Sequence, residues 1–315
     1  MLVASGVFPD LDYVSYVGGA SAFLRLHRAA FHSLAGGAVL ACVIAGAFCA
    51  LDKKLPVKVD ARRRFAALTF RAAAAVCAIG ILGHILLDMA SGVGVQLLWP
   101  FYTRWFGLPL TADLDLWMMG LLAVGLLLPL LFKLVNEEVG ERKTGSGRRS
   151  AAITLALLVA YLGARASFRA QAINLLLSRE YRGEIPLAAG AFPASASPFA
   201  WRGVVVTDNT IEEVEGTAGA GAEFDTERTL THYKPADSEA LDAAESTAPA
   251  RRFLRYAKFP LASVGPREAG YRVEIRDLRF ASGDTGADNI VVRIDLDSGA
   301  RVTGQRLLFA SSLNP

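Results

Sequence analysis

The chain has 315 residues, 53% hydrophobic and 20% charged, with a mean hydropathy of +0.35. That is too apolar for an ordinary soluble protein and too charged for a bundle buried wholly in lipid, so a membrane part joined to a water-facing part is expected. The 33 Lys and Arg against 30 Asp and Glu leave a net charge of only +3, and no basic block interleaved with aromatics is present, which argues against a nucleic-acid partner.

No basic stretch precedes an apolar run at the N-terminus, so a cleaved signal peptide is not expected. Seven residues precede Phe8, too few to cross a bilayer, which takes about 20 helical residues. Residues 1–32 should therefore lie at the membrane surface or cap the bundle, with a turn at Pro9, then Gly18-Gly19 and a short helix from Ser21. Four apolar runs follow, at about 33–51, 65–88, 114–135 and 150–177, each long enough for a transmembrane helix. The second carries Arg71 near its start. The last carries Arg165 and Arg169, which must snorkel to the interface or face the bundle. Cys42, Cys49 and Cys77 fall inside apolar runs, lack zinc-finger spacing and read as small core residues.

Loop charge orients these runs. The 52–64 loop carries Lys53, Lys54, Lys58, Arg62, Arg63 and Arg64, and the 136–149 loop carries Arg142, Lys143, Arg148 and Arg149, whereas 89–113 has only Arg104. The positive-inside tendency puts the first two in the cytoplasm and the third outside. The first run then enters from outside at His32, the second returns outside at Asp88, and the fourth exits outside. Residues 1–178 are thus expected to form a membrane domain, and 179–315 an extracytoplasmic one whose start is punctuated by Pro186, Pro193 and Pro198. In the latter, Trp201 to Thr207 opens a strand region and an acidic hairpin region lies near 211–230. A polar helix is expected near 236–257. Tyr271 to Phe280, Asn289 to Asp295 and Arg301 to Phe309 alternate as half-exposed strands do. The expected fold is an α-helical polytopic membrane bundle of about four transmembrane helices plus a C-terminal α+β, β-rich soluble domain.

Ionisable groups near the end of a membrane span are costly and are usually kept for function. His84 and Asp88, four apart, share one helical face. Three of the four histidines, His27, His32 and His84, lie in the first hundred residues, and Asp10 and Asp12 follow Pro9. Each pattern alone has a plain structural reading: the Asp-x-Asp as a turn or cap, His27 and His32 as interfacial residues, His84 and Asp88 as a hydrogen-bonded pair. The orientation argument brings all six to one membrane face, and that convergence points to a metal site of Asp10, Asp12, His27, His32, His84 and Asp88.

Imidazole and carboxylate donors without thiolate suit zinc, iron or manganese, zinc foremost. Six candidates exceed the three or four that one catalytic zinc uses, so some orient the others or the site holds two ions. A divalent cation there would lower the pKa of water to about 7 and polarise a carbonyl or phosphoryl oxygen. Asp12 or Asp88 could accept the water's proton. Arg28 offers a planar fork for a phosphate or carboxylate, its plainer reading being contact with lipid headgroups. Gln96 is the one amide of the following loop able to touch a ligand. Trp99, Phe101, Tyr102 and Trp105 form an expected interfacial aromatic belt. Asp113 and Asp115 serve as a helix cap or join the site, and His232 reads as surface.

The ordered set Pro9-Asp10-Leu11-Asp12, His27-Arg28, His32-Ser33-Leu34, His84-Ile85-Leu86-Leu87-Asp88, Gly94 and Leu97-Leu98-Trp99-Pro100-Phe101 resembles the bacterial inner-membrane family of membrane-bound metal-dependent hydrolases, which includes an SOS-regulated inner-membrane member. These motifs span roughly residues 8–101. The remainder, with Ser197-Pro-Phe-Ala-Trp-Arg-Gly-Val-Val and Ile275-Arg-Asp-Leu-Arg-Phe, is similar to longer members with an extra C-terminal domain. The resemblance implies a hydrolase with a catalytic metal. Family members also carry a histidine on a helix before the Pro-Asp motif, so either an upstream segment supplies it or the site lacks that ligand. Ala29 and Phe31 stand where the family commonly has Gly and Thr, which bears on local loop geometry more than on the ligands.

The expected function is a metal-dependent hydrolase of the bacterial inner membrane, multi-pass, acting at its outer face on a lipid-linked or amphipathic ester or phosphoester. The alternative is a non-enzymatic membrane protein whose metal staples the helices and whose C-terminal domain binds a partner. A transport role is disfavoured because no polar stripe runs through the four runs.

Overall fold

A computed structural model describes residues 1–54, 69–138, 146–281, 284 and 286–312. In chain order the helices are α1 (Leu2–Val7), α2 (Gly19–Leu26), α3 (Leu34–Lys54), α4 (Phe70–Ala90), α5 (Leu116–Glu138), α6 (Ser146–Leu177), α7 (Glu239–Glu245) and α8 (Ala248–Tyr256), with 3-10 turns over Phe8–Gly18. The strands are β1 (Ala188–Pro193), β2 (Ala200–Val206), β3 (Thr210–Thr217), β4 (Glu223–Tyr233), β5 (Pro260–Arg267), β6 (Gly270–Asp277), β7 (Ile290–Asp297) and β8 (Val302–Phe309). They make two four-stranded antiparallel sheets, β1-β2-β3-β4 and β5-β6-β7-β8, each in sequence order. The chain folds into two compact units, Met1–Leu108 with Lys234–Pro315, and Pro109–Tyr233.

Among the described residues, three helices are long and apolar enough to cross a membrane, Leu34–Asp52, Phe70–Ala90 and Gly147–Leu177, and Leu116–Leu131 is a shorter apolar helix. The run expected from residue 65 has its helix start at Phe70, where Thr69 caps α4 by accepting from the Ala72 N–H at 3.3 Å. Of the basic residues behind the expected orientation, Lys58, Arg62, Arg63, Arg64, Arg142 and Lys143 lie outside the described residues.

In the first unit, α3 and α4 pack through small and branched side chains, Ala41, Ile44 and Ala45 against Ala73, Cys77, Ile81 and Ile85. The short α1 lies on α4 at Gly80, where an added Cβ would stand 2.2 Å from Ser5 Oγ and 2.9 Å from the Leu2 carbonyl oxygen. The loop after α4 doubles back through a Val95–Phe106 bridge. Gly94 makes this possible: it has φ 79°, and a Cβ there would meet the Phe106 carbonyl oxygen at 2.4 Å. The return carries Trp105 into the core, edge-on to Tyr256 at 4.9 Å between ring centroids. Trp105, expected in an aromatic belt, is therefore a core residue; Phe101 is 89% exposed. The inner face of β5–β8 buries Val273, Ile275, Ile290, Val292 and Ile294 against Phe253 and Tyr256 of α8 and Ala20, Phe23 and Leu24 of α2. The polar helix expected over 236–257 is two helices, because Thr247 caps a new one and Pro249 falls in its first turn.

In the second unit, Ala172 and Leu176 of α6 pack on Trp201, Val205, Val214 and Phe224 of the first sheet. Arg165 is buried and faces protein: it donates to the Leu110 carbonyl at 2.7 Å and to the Pro198 carbonyl, and lies over the Trp201 ring at 4.5 Å. Asp115 caps α5, accepting from the Met118 N–H and the Tyr161 hydroxyl, each at 2.9 Å. His232, expected at the surface, is half-buried between strands with Nε2 2.8 Å from Glu213 Oε1.

Candidate metal centre

Four segments of the first unit meet at one point. Pro9 lies at the start of the 3-10 turns that carry Asp10 and Asp12. At the end of α2 the chain leaves the helix at His27, and Arg28 takes a left-handed φ of 56°. Two bonds hold that unusual corner: the Arg28 N–H donates to Asp12 Oδ2 at 3.0 Å, and the Gln96 N–H donates to the Arg28 carbonyl at 2.9 Å. Ser33 then caps α3, its Oγ accepting from the Gly36 N–H at 3.0 Å, which sets His32 at the mouth of that helix. The last turns of α4 bring His84 and Asp88.

The Nε2 atoms of His32 and His84 stand 3.1 Å apart. Asp88 Oδ2 lies 3.0 Å from the first and 3.3 Å from the second. Asp10 Oδ1 lies 3.8 Å from His32 Nε2 and 3.4 Å from His84 Nε2. Donors that share one zinc at about 2.0–2.1 Å stand about 3.0–3.4 Å apart in neighbouring positions, so the two imidazoles with Asp88 fit such an ion closely, while Asp10 stands wider of His32. The far nitrogen of His84 settles which of its atoms carries the lone pair. His84 Nδ1 lies 2.8 Å from the Gly6 carbonyl, which can only accept, so the proton is on Nδ1 and Nε2 is left as a donor to a cation. His32 Nδ1 lies 3.0 Å from Asp12 Oδ2, a close ion contact rather than an aligned hydrogen bond, and the ring is fully buried. A carboxylate or carbonyl behind the imidazole is how ligating histidines are usually held.

Of the six residues singled out in the sequence, Asp10, His32, His84 and Asp88 bring donor atoms together. Asp12 stands behind them with both oxygens engaged, Oδ1 by His27 Nδ1 at 2.7 Å and Oδ2 by the Arg28 N–H, and it lies in ion contact with His32. His27 is farther back, stacked on Phe23 at 4.3 Å. Arg28 reaches the rim: Nη1 donates to Ser91 Oγ at 2.9 Å, and Nη2 is 3.9 Å from Asp88 Oδ1 and 3.8 Å from Asp288 Oδ2. Asp10 is the open member, its side chain 55% exposed. Gln96 is buried and serves through its backbone. Asp113 and Asp115 belong to the second unit. Gly6, Ser91 and Asp288 were not foreseen; each is brought in by the fold, and no local pattern marks them.

Hydrogen bonds from His32 and His84 hold the Asp10 carboxyl well below the usual carboxylate range. Burial would raise Asp12, but His27 and His32 outweigh it and its carboxyl is lowered too. Burial would likewise lower His32, but Asp10, Asp12 and Asp88 outweigh it and push it up to about 10. Without a cation, the cluster therefore holds a proton in the place a cation would take.

Apolar helices of membrane-spanning length, joined to a partly buried His–Asp cluster, define a membrane protein with a cation-compatible centre. Residues 1–172, more than half of the chain, match the family described as YdjM inner membrane protein. The chain belongs to that family and is a bacterial inner-membrane protein. No curated protein and no solved structure matches it.

Proposed function

We propose that this protein is a multi-pass, metal-dependent hydrolase with its centre at the outer face of the inner membrane, acting on a lipid-linked or amphipathic ester or phosphoester. The observation that carries the reading is the convergence of His32 Nε2, His84 Nε2, Asp88 Oδ2 and Asp10 Oδ1 within 3.0–3.8 Å of the two imidazole nitrogens, each imidazole oriented from behind. A divalent cation, zinc foremost with iron or manganese as alternatives and one or two ions in number, supplies acidified water and a polarised substrate oxygen.

The chain's own residues do the rest. His32, His84 and Asp88 hold the cation, and Asp10 is either a fourth ligand or the group that takes the proton from water, since it alone of the four is well exposed. Asp12 is poorly suited to that role because both its oxygens are occupied by His27 and the Arg28 N–H; it places a negative charge behind the His32 ring. Arg28 offers its guanidinium to a substrate oxygen that gains negative charge. The basic loops that favour this orientation, and the second sheet outside the cytoplasm, follow from the positive-inside tendency.

The test is metal content and hydrolysis by the full chain purified in neutral detergent. The wild type should carry at least one divalent ion and cleave an aryl ester or aryl phosphodiester, and His84→Ala and Asp88→Ala should lose both. Metal bound tightly with no hydrolysis of any ester tested, and loss of thermal stability in both variants, would favour a structural metal instead.

A further inference from the structure

The second sheet sends a carboxylate to the Arg28 corner. Asp288, just before β7, places Oδ2 3.8 Å from Arg28 Nη2. Its position is set from behind by buried groups: the Tyr256 hydroxyl donates to the Asp288 carbonyl at 2.7 Å, and Asn289 Nδ2 donates to the Asp284 carbonyl at 2.8 Å. Close by, Arg279 is paired with Asp277 at 2.6 Å and donates to the Gly92 and Val93 carbonyls at 3.1 and 3.2 Å. Those carbonyls adjoin Ser91, the residue that holds Arg28 Nη1. The spacing between Asp288 and Arg28 is thus fixed by a buried polar network rather than by two loose surface side chains.

Building on the metal-hydrolase reading, we propose that Asp288 is a positioning and charge-selecting residue of the centre: it holds Arg28 in place and restricts the ligand to neutral or singly charged groups, carboxylic esters and phosphodiesters rather than phosphomonoesters. Four carboxylates, Asp10, Asp12, Asp88 and Asp288, cluster around the paired imidazoles and Arg28. With a single divalent cation bound, that cation and one guanidinium stand against them, the ligating imidazoles being neutral. The centre then carries one negative charge in excess, and a dianion is repelled where a monoanion or a neutral ester is tolerated. Without Asp288 the charges balance and the discrimination fades.

The experiment uses the zinc-loaded full chain in neutral detergent, titrated calorimetrically with inorganic phosphate at a pH of about 8, where it is mainly a dianion, and with dimethyl phosphate, a monoanion. The wild type should prefer dimethyl phosphate. Asp288→Asn should tighten inorganic phosphate by about tenfold while moving dimethyl phosphate by about threefold or less. Asp288→Glu, which keeps the charge, should keep the wild-type preference. Loss of binding for both anions in Asp288→Asn, or an unchanged ratio between them, overturns the assignment. Zinc uptake is measured first by equilibrium dialysis: a wild type that takes up no zinc overturns the metal reading itself, whereas normal uptake with an unchanged anion ratio overturns the role of Asp288 alone.

Discussion

His84 Nδ1 donates to the carbonyl of Gly6 at 2.8 Å, which ties the deep end of α4 to the first helix of the chain. The short α1 thereby orients a candidate ligand. The contact depends on α1 lying flat on α4, and Gly80 is what allows that. In Gly80→Ala the new Cβ would fall 2.2 Å from Ser5 Oγ and 2.9 Å from the Leu2 backbone oxygen, so α1 has to lift. Zinc affinity should drop by about 10–100-fold, the usual effect of losing an orienting partner, although residue 80 touches no ligand. Equilibrium dialysis reads this directly, and an unchanged affinity would mean that the Gly6 carbonyl does not matter to the centre.

Asp12→Asn is expected to act in the same way from the other side. An amide in place of this carboxylate cannot accept from both His27 and the Arg28 N–H, and it removes the negative charge that lies 3.0 Å from the buried His32 ring, so that ring is held less firmly. Metal affinity should fall about 10–100-fold while bound-metal activity falls less, which separates an orienting role from that of a proton acceptor. A variant with full metal and no turnover would instead assign Asp12 to the chemistry.

Much of this centre is legible from sequence because its key pair is local. His84 and Asp88 sit at helical spacing on a run whose apolar character leaves no doubt that it is a helix, and their side chains lie 3.3 Å apart. His32 is legible for a related reason, since it immediately precedes the serine that caps the next apolar helix. What cannot be read in this way is order within the cluster. Asp10 and Asp12 look equivalent in the sequence, yet one is exposed beside the two Nε2 atoms and the other is buried behind His32. The 3-10 turn decides between them, and no residue pattern reports its phase. The role of the chain's end is equally hidden. Tyr16 stacks on Phe309 at 4.4 Å and Phe23 meets it edge-on at 5.7 Å. Contacts between opposite ends of a chain leave no period to detect, and Trp105 misleads for the same reason.

Metal uptake should be coupled to proton release. In the cation-free cluster the His32 imidazole is raised to about 10, so near neutrality it carries a proton that a metal must displace. Affinity should therefore rise as the pH rises towards about 10. Calorimetry in buffers of differing ionisation heat should show about one proton released per ion near neutrality. The stability of the cation-free protein runs the opposite way. A raised imidazole contributes stability that is full below its ordinary value and is lost as pH climbs through about 10. The lowered Asp10 and Asp12 contribute stability that is present above the usual carboxylate range and is lost on acidification. Metal-free protein should thus melt highest between the usual carboxylate range and the ordinary imidazole value, at about pH 4 to 6.5, and the gain in melting temperature on adding zinc should widen with rising pH. A gain that shrinks with rising pH would contradict the protonated cluster.

Arg279 joins the second sheet to the loop after α4, and its removal should be felt as stability first. The side chain is almost wholly buried, paired with a fully buried Asp277 at 2.6 Å and lying over the Tyr256 ring at 4.5 Å. It also donates to the carbonyls of Gly92, Val93 and Tyr256. Arg279→Ala leaves Asp277 as an uncompensated buried charge and three carbonyls without their donor, a loss of about 3–5 kcal/mol. Replacing both members, Arg279→Met with Asp277→Leu, removes the stranded charge and should recover part of that loss. Chemical denaturation of the detergent-solubilised chain, followed by tryptophan fluorescence, measures both. Because Arg279 also anchors the segment that carries Ser91, the double variant should regain stability while its Arg28 corner stays loosened, so inorganic phosphate and dimethyl phosphate should both bind more weakly than to the wild type. Recovery of stability together with wild-type affinity for both anions would show that the sheet only buttresses the fold.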